Sequence, residues 1–272
     1  MTQKFVKEIK KKGYALIPNV IKATECEKYK KLLEKYCKKY SKYYASSSKK
    51  KTLADKSYEK VVYNLHNKDI VWFKLFKNKK ILNILNVILK EGSYKNQEPY
   101  YLNNISARCP TKGNKGQIIH LDSNLPGVNY NIITNVIWYF DDVNKKNGTT
   151  MLVPGSHKYL KYANKKNIKT LKYINAKKGS VLIFNSNLWH GGSKKVNSES
   201  RWALILGYAR WFIKPSFDFM KNTPRTIYDK LTKTDKSLLG FDLVPPKDEF
   251  TRITRRSSFY LKPEKYKINV HN

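Results

Sequence analysis

The 272-residue sequence has few cysteines and no long apolar run. Its three cysteines, Cys26, Cys37 and Cys109, are odd in number and irregularly spaced, which argues against a disulfide framework and against a zinc-ligand pattern. No apolar segment approaches the ~20 residues that span a bilayer, and the first residues lack the apolar stretch of a signal peptide. We therefore expect a soluble, cytoplasmic protein without a membrane span.

Acidic side chains are also scarce, since 20 Asp and Glu stand against 55 Lys and Arg and give a formal net charge of +35. Such an excess suggests a polyanion partner, such as nucleic acid or an anionic membrane surface. Only seven of the basic residues are Arg, however, and the Lys are spread along the whole chain. Proteins that bind nucleic acid cluster their basic residues and favour Arg. We therefore interpret the charge as a solvated lysine surface, which agrees with an anionic small-molecule substrate but does not predict a nucleic-acid partner.

The first third of the sequence is predicted to be mainly helical. A short strand is expected at Tyr14–Ile17, followed by a helix whose start at Thr24 and Glu27 fits a capping box. The polar, Lys-rich stretch 42–60 is typical of a loop. A second helical stretch is expected over residues 69–90, where apolar residues recur at helical spacing.

From about residue 100 the sequence changes to short β-rich runs separated by turns, which predicts an antiparallel sandwich or barrel. We predict a single domain over residues 1–272. It would comprise a helical N-terminal part over about 1–95, a β core over about 98–215 and a C-terminal extension over about 216–272. The extension carries a basic patch, Arg252, Arg255 and Arg256.

His120 and Asp122 form the pattern that points to chemistry. Residues two apart in a strand project from the same face, so both side chains can reach one ion. His190, which follows the predicted strand GSVLIFN, completes the set if its strand lies beside the first. Two imidazoles and one carboxylate form the facial triad typical of non-haem iron(II) oxygenases, because three coordination positions stay open for a cosubstrate and dioxygen.

Arg201 lies eleven residues after His190, at the start of another apolar strand. Burying an Arg there costs free energy unless an anion pairs with it, and the planar guanidinium suits a carboxylate such as that of 2-oxoglutarate. The alternative is that Arg201 is an ordinary surface cation. Of the remaining histidines, His157 is predicted to shape a turn, and His66 and His271 are predicted to be solvated.

The sequence resembles the phytanoyl-CoA dioxygenase family over nearly its whole length, from about Lys4 to Pro263. The resemblance is carried by FVKEIKKKGYALIPNVI, IHLD, NGTTMLVPGSHK, KGSVLIFNSNLWHGGS, SLLGFDLVP and Arg201. It implies a mainly β fold with flanking helices: a double-stranded β-helix, or cupin-like jelly roll, with the N-terminal helices packed on one sheet.

The resemblance also implies roles for individual residues. The iron(II) ligands and catalytic residues would be His120, Asp122 and His190. The residues that bind 2-oxoglutarate would be Arg201, Trp138 and Asn104. The alternative for Trp138 is that it is a core residue.

The implied activity is that of an iron(II)- and 2-oxoglutarate-dependent dioxygenase. It would use dioxygen to hydroxylate an unactivated C–H bond of a small-molecule metabolite, release succinate and CO2, and be stimulated by ascorbate. Asp122 favours hydroxylation, because related halogenases lack this carboxylate, whereas desaturation and ring closure stay open. The alternatives are a non-catalytic jelly-roll binding protein and an oxygenase directed at nucleic acid through the basic surface.

Overall fold

The structure, a computed structural model, describes residues 2–46, 58–91, 100–123 and 125–243. The predicted basic patch of the C-terminal extension and His271 lie outside the described residues. The chain divides into two compact units, one formed by Met1–Tyr63 and Ser106–Ile205 and the other by Asn64–Ile105 and Leu206–Asn272. The two units use alternating segments of the chain. The single domain over residues 1–272, with its helical part, core and extension, stays a prediction.

The described residues form six α-helices. They are α1 (Thr2–Lys12), α2 (Ala23–Ser46), α3 (Phe73–Phe76), α4 (Lys79–Leu89), α5 (Arg225–Tyr228) and α6 (Lys233–Leu238). None of the helices in these ranges is long and apolar enough to cross a bilayer.

Helix α2 begins and ends differently from the prediction. Its first turn is closed by Glu25, whose Oε2 accepts the backbone N–H of Lys22 at 3.2 Å, so Thr24 lies inside the helix and is not its cap. The helix continues to Ser46, into the stretch that was predicted to be a loop. The second predicted helical stretch is divided into α3 and α4, because the Asn78 side chain accepts the N–H groups of Lys80 and Ile81 and starts a new helix there.

Nine strands in the described residues form two sheets. They are β1 (Tyr14–Ile17), β2 (Glu59–Tyr63), β3 (Tyr100–Pro110), β4 (Ile133–Tyr139), β5 (Thr150–Leu152), β6 (Lys172–Tyr173), β7 (Val181–Asn185), β8 (His190–Gly192) and β9 (Ala203–Arg210). One sheet has the order β1-β7-β4-β9-β3-β2 and the other β6-β5-β8. Strand β1 matches its prediction, whereas β2 was missed because its first residues fall in the polar stretch. The two sheets of non-consecutive strands confirm the predicted mainly β, jelly-roll fold.

Strands β4 and β7 of the six-stranded sheet are buried on both faces. On one face, Ile137 and Tyr139 of β4 pack with Phe184 of β7 and with Leu152 of the smaller sheet. On the other face, helix α2 covers β4, since the rings of Tyr29 and Phe140 stack at 5.4 Å. Helix α2 therefore packs on one face of β4, and the opposite face is directed toward the smaller sheet.

Candidate metal centre

The backbone brings the two histidines of the predicted triad side by side. His190 is the first residue of β8, and His120 forms an isolated antiparallel bridge with it. Each of the two residues donates its N–H to the carbonyl of the other at 2.8 Å. The Asp122 N–H is fixed separately, by the carbonyl of Ser186 at 2.9 Å. The run QIIHLD thus contributes a single bridge, not the strand that was predicted, yet it lies beside the strand of His190 as the triad requires.

The three side chains converge on one point. The Nε2 atoms of His120 and His190 lie 3.3 Å from Oδ1 and Oδ2 of Asp122, respectively. One ligand atom from each side chain can be chosen so that all three lie within 4.8 Å of one another. Within the described ranges this is the one cluster of three His, Cys, Asp or Glu side chains arranged to hold a metal ion.

Both imidazoles present the same nitrogen to the centre. Nδ1 of His120 lies 2.8 Å from the Ile118 carbonyl oxygen, and Nδ1 of His190 lies 2.9 Å from that of Leu188. A carbonyl oxygen only accepts, so each Nδ1 carries the proton and each Nε2 keeps its lone pair for a metal. A Cβ at Gly191 would lie 3.0 Å from the Ile118 carbonyl, so glycine allows this segment to approach β8 closely.

The electrostatics of the triad favour an ionised carboxylate. Burial alone would raise the pKa of Asp122, but the imidazoles of His190 and His120 hold this pKa well below its usual range. The hydrogen bond to Asp122 in turn raises the pKa of His120. Although protein atoms surround the carboxylate, 41% of the Asp122 side chain stays accessible, against 9% for His190. Two imidazole nitrogens and one carboxylate with an accessible side fit a non-haem iron(II) ion.

Arg201 is a buried cation that lacks a carboxylate partner. Its side chain is 6% exposed, and no Asp or Glu among the described residues lies within salt-bridge distance of it. Its Nε finds no acceptor. The guanidinium lies 5.9 Å from the ring centroid of Tyr139, which belongs to the β4 face directed toward the smaller sheet. A buried guanidinium with an unused donor fits the carboxylate of 2-oxoglutarate.

Trp138 lies on the face of β4 that is directed away from Asn135. Alternation along β4 puts Trp138 on the same face as Phe140, which stacks on helix α2. The opposite face carries Asn135, Ile137 and Tyr139, and Asn135 contacts Asp122 directly. Trp138 is fully buried, and its Nε1 has no partner among the described residues. Its full burial agrees with the alternative that Trp138 is a core residue, and its role toward 2-oxoglutarate stays a prediction.

Asn104, the other predicted contact, is half-buried on β3 in the second unit. Its role toward 2-oxoglutarate stays a prediction.

Two asparagines that sequence reasoning missed take part in the site. Nδ2 of Asn135 donates to Oδ2 of Asp122 at 2.8 Å. Asn187 accepts the Ser123 hydroxyl hydrogen and donates to the Val128 carbonyl at 3.0 Å, so it fastens the segment that follows Asp122. A polar residue in the apolar run IITNVIWYF was the available signal for Asn135, because a buried amide needs a hydrogen-bond partner.

The two remaining described histidines have structural contacts. His157 lies in a short 3-10 turn, as predicted for a turn residue, and its Nε2 contacts the Lys10 carbonyl at 3.3 Å. The prediction that His66 is solvated is wrong. His66 is fully buried in the second unit, packs edge-on against the ring of Phe219 at 4.9 Å and bonds to the Asn222 side chain at 2.5 Å.

Solved structures of two other proteins resemble this fold. HygX from Streptomyces hygroscopicus, with nickel, 2-oxoglutarate and hygromycin B bound, has a TM-score of 0.60 and 18% identity over 79% of this chain and 89% of its own. The epimerase SnoN, in complex with Fe3+, α-ketoglutarate and nogalamycin RO, has a TM-score of 0.60 and 14% identity over 83% and 91%. At these identities the likeness supports the fold alone.

Relatives in sequence match this chain over part of their own length. Dioxygenase af480 of Aspergillus fumigatus is 24% identical over 185 residues, which cover 66% of this chain and 58% of the relative. The uncharacterized protein Rv1501 of Mycobacterium tuberculosis is 23% identical over 133 residues, which cover 48% and 46%. The chain thus spans about half the length of these relatives. The family model described as phytanoyl-CoA dioxygenase (PhyH) matches residues 9–203, a range that holds the triad and Arg201. This chain therefore belongs to the phytanoyl-CoA dioxygenase family.

Proposed function

We propose that the protein is an iron(II)- and 2-oxoglutarate-dependent dioxygenase that hydroxylates an unactivated C–H bond of a small-molecule metabolite and releases succinate and CO2. The observation that carries the proposal is the combination of a His-Asp-His triad with Arg201, a buried cation without a carboxylate partner in the described part of the chain. The triad fits an iron(II) ion, and Arg201 fits the carboxylate of the cosubstrate.

Each residue has a defined task in this proposal. His120, Asp122 and His190 would hold the iron, which supplies the oxidation of the C–H bond together with 2-oxoglutarate and dioxygen. The Nδ1–H bonds to backbone carbonyls keep both imidazoles in the metal-binding tautomer. Arg201 would bind the carboxylate of 2-oxoglutarate, and the Tyr139 ring beneath it limits where the guanidinium can lie.

The surroundings of the metal centre support an organic substrate with apolar surface. Ile118, whose carbonyl orients His120, leaves 79% of its side chain exposed. Leu125 and Tyr130, in the segment after Asp122, are 46% and 49% exposed. Ligand sites are lined mainly by apolar and aromatic side chains. The hygromycin B and nogalamycin RO held by HygX and SnoN likewise support a small molecule.

Succinate release tests the proposal. Purified protein with iron(II), ascorbate and 2-oxoglutarate should form some succinate without its substrate, and a pool that contains the substrate should increase the rate. Mass spectrometry of that pool should show a product that has gained one oxygen atom. His120→Ala should lose both metal binding and succinate, whereas His157→Ala, which removes a histidine outside the triad, should keep both.

The outcomes separate this proposal from the alternative of a non-catalytic protein. Wild-type protein that binds a metal and 2-oxoglutarate but forms no succinate with any pool would favour a binding protein on the same fold. Wild-type protein that shows no thermal shift with 2-oxoglutarate in the presence of a metal would contradict the assignment of the site itself.

A further inference from the structure

We infer that Asn135 is a positioning residue for the metal ligand Asp122, an inference that rests on the proposed metal centre. Asn135 lies in the middle of β4, a strand in which all seven residues are buried. Its side chain amide donates to Oδ2 of Asp122 at 2.8 Å. A buried amide is costly without a partner, and among the described residues the Asp122 carboxylate accepts the hydrogen bond of Asn135 Nδ2.

The bond distinguishes the two oxygens of the carboxylate. Both Asp122 oxygens lie near an imidazole, Oδ1 by His120 and Oδ2 by His190, each at 3.3 Å. The amide of Asn135 donates to Oδ2. A donor on Oδ2 limits the rotation of the carboxylate about its last torsion and so limits where both oxygens can lie.

Asp122 needs such support because its own backbone is irregular. It lies in a bend outside the strands, and Ser186 fixes its N–H. Asn135, in contrast, is held in the six-stranded sheet, where it lies directly opposite Phe184 of β7. The Phe184 ring contacts His190 with its centroid 4.7 Å away. The cross-strand pair of Asn135 and Phe184 thus contacts two of the three ligands, Asp122 and His190, from within the six-stranded sheet.

The hydrogen bond from Asn135 favours the negatively charged form of Asp122, which a metal centre requires. An amide N–H stabilises the ionised carboxylate, the form that binds a metal, and a hydrogen bond to a charged group is stronger than a neutral one. Loss of a residue that orients a metal ligand typically weakens metal binding by about 10- to 100-fold. We expect an effect of that size for Asn135.

Titration with Co(II), a spectroscopic substitute for iron(II), tests the inference on the full chain. Asn135→Ala and Asn135→Leu both remove the donor, and the Leu variant also keeps most of the side-chain volume. Both should raise the Kd for Co(II) by about 10- to 100-fold and shift the visible absorption bands of the bound ion. The matched control is Asn147→Ala, since Asn147 is another buried asparagine, which donates to the Asp142 carbonyl at 2.7 Å. The control should lose stability but keep the wild-type Kd and spectrum.

Two results would overturn the inference. One is a wild-type Kd and spectrum in Asn135→Leu, which would show that the donor is not needed. The other is an equal loss of Co(II) affinity in Asn147→Ala, which would assign the effect to general destabilisation. The readout is metal binding, so it does not depend on the proposed reaction. Wild-type protein that binds Co(II) but forms no succinate would refute the proposed reaction, and the titration would still decide the role of Asn135.

Discussion

Replacing Arg201 by Met should change stability and 2-oxoglutarate binding in opposite directions. Met keeps much of the length of the side chain and removes the charge. Arg201 is 6% exposed, its Nε has no acceptor, and its guanidinium lies 5.9 Å from the centroid of the Tyr139 ring. A buried cation with so little compensation destabilises the protein until an anion pairs with it.

The magnitudes follow from this imbalance. Desolvation of a buried ion costs several kcal/mol, whereas a cation–π contact returns about 0.5–2 kcal/mol. Arg201→Met should therefore raise the free energy of unfolding of the cosubstrate-free protein by about 1 kcal/mol. It should also remove a carboxylate pair worth ~1.5–3 kcal/mol, which raises the Kd for 2-oxoglutarate by about 10- to 150-fold.

Urea unfolding gives the first quantity, and calorimetric titration of the Co(II)-loaded protein with 2-oxoglutarate gives the second. Arg108→Met is the matched control, because Arg108 is paired with Glu59 at 3.1 Å. That variant leaves a carboxylate unpaired, so it should lose stability and keep the wild-type Kd. If Arg201→Met is destabilised like the control and binds 2-oxoglutarate normally, Arg201 has a structural role and the reasoning is refuted.

Two further predictions concern buried groups. Burial lowers the pKa of His66 from 6.5 to about 3, and the nearby Lys68 contributes in the same direction. Below pH 6.5 the unfolded chain binds a proton that the folded protein does not. His66 should therefore reduce the free energy of unfolding by up to about 1.4 kcal/mol per pH unit as the pH falls toward 3. Urea unfolding at pH 7 and pH 5 should show a smaller decrease for His66→Gln than for the wild type, and equal decreases would contradict the assignment. Tyr139→Phe removes the 3.1 Å bond to the Thr150 hydroxyl and should cost ~1–2 kcal/mol of unfolding free energy. It keeps the ring beneath Arg201, so the Kd for 2-oxoglutarate should not change. A higher Kd would instead indicate that the Tyr139 hydroxyl contacts the cosubstrate.

The triad could be predicted because its signal is local. A spacing of two residues puts His120 and Asp122 on one side of an extended segment whether or not that segment joins a regular sheet. The structure forms only a bridge at His120, and the two side chains still converge. The fold class was predictable for a similar reason, since short apolar runs with turns between them do not depend on knowing which strands pair.

The second layer of the site could not be predicted as readily. Alternation shows that Trp138 and Phe140 share a face, but it does not show which face is covered by helix α2. That choice depends on packing between segments far apart in the chain, as does the burial of His66 against Asn222. A histidine in a polar stretch gives no local sign of such a partner.

The metal centre thus combines irregular segments with a rigid sheet. Of the three triad residues, only His190 lies in a strand. Side chains of β4 and β7 contact Asp122 and His190, whereas the carbonyls that orient the two imidazoles belong to Ile118 and Leu188, outside the strands. The exposed apolar side chains nearest in sequence to the ligands, Ile118 and Leu125, lie outside the strands. Surface residues of this kind can change without loss of the contacts made by Asn135 and Phe184. The geometry therefore supports a reaction class more narrowly than it supports a substrate.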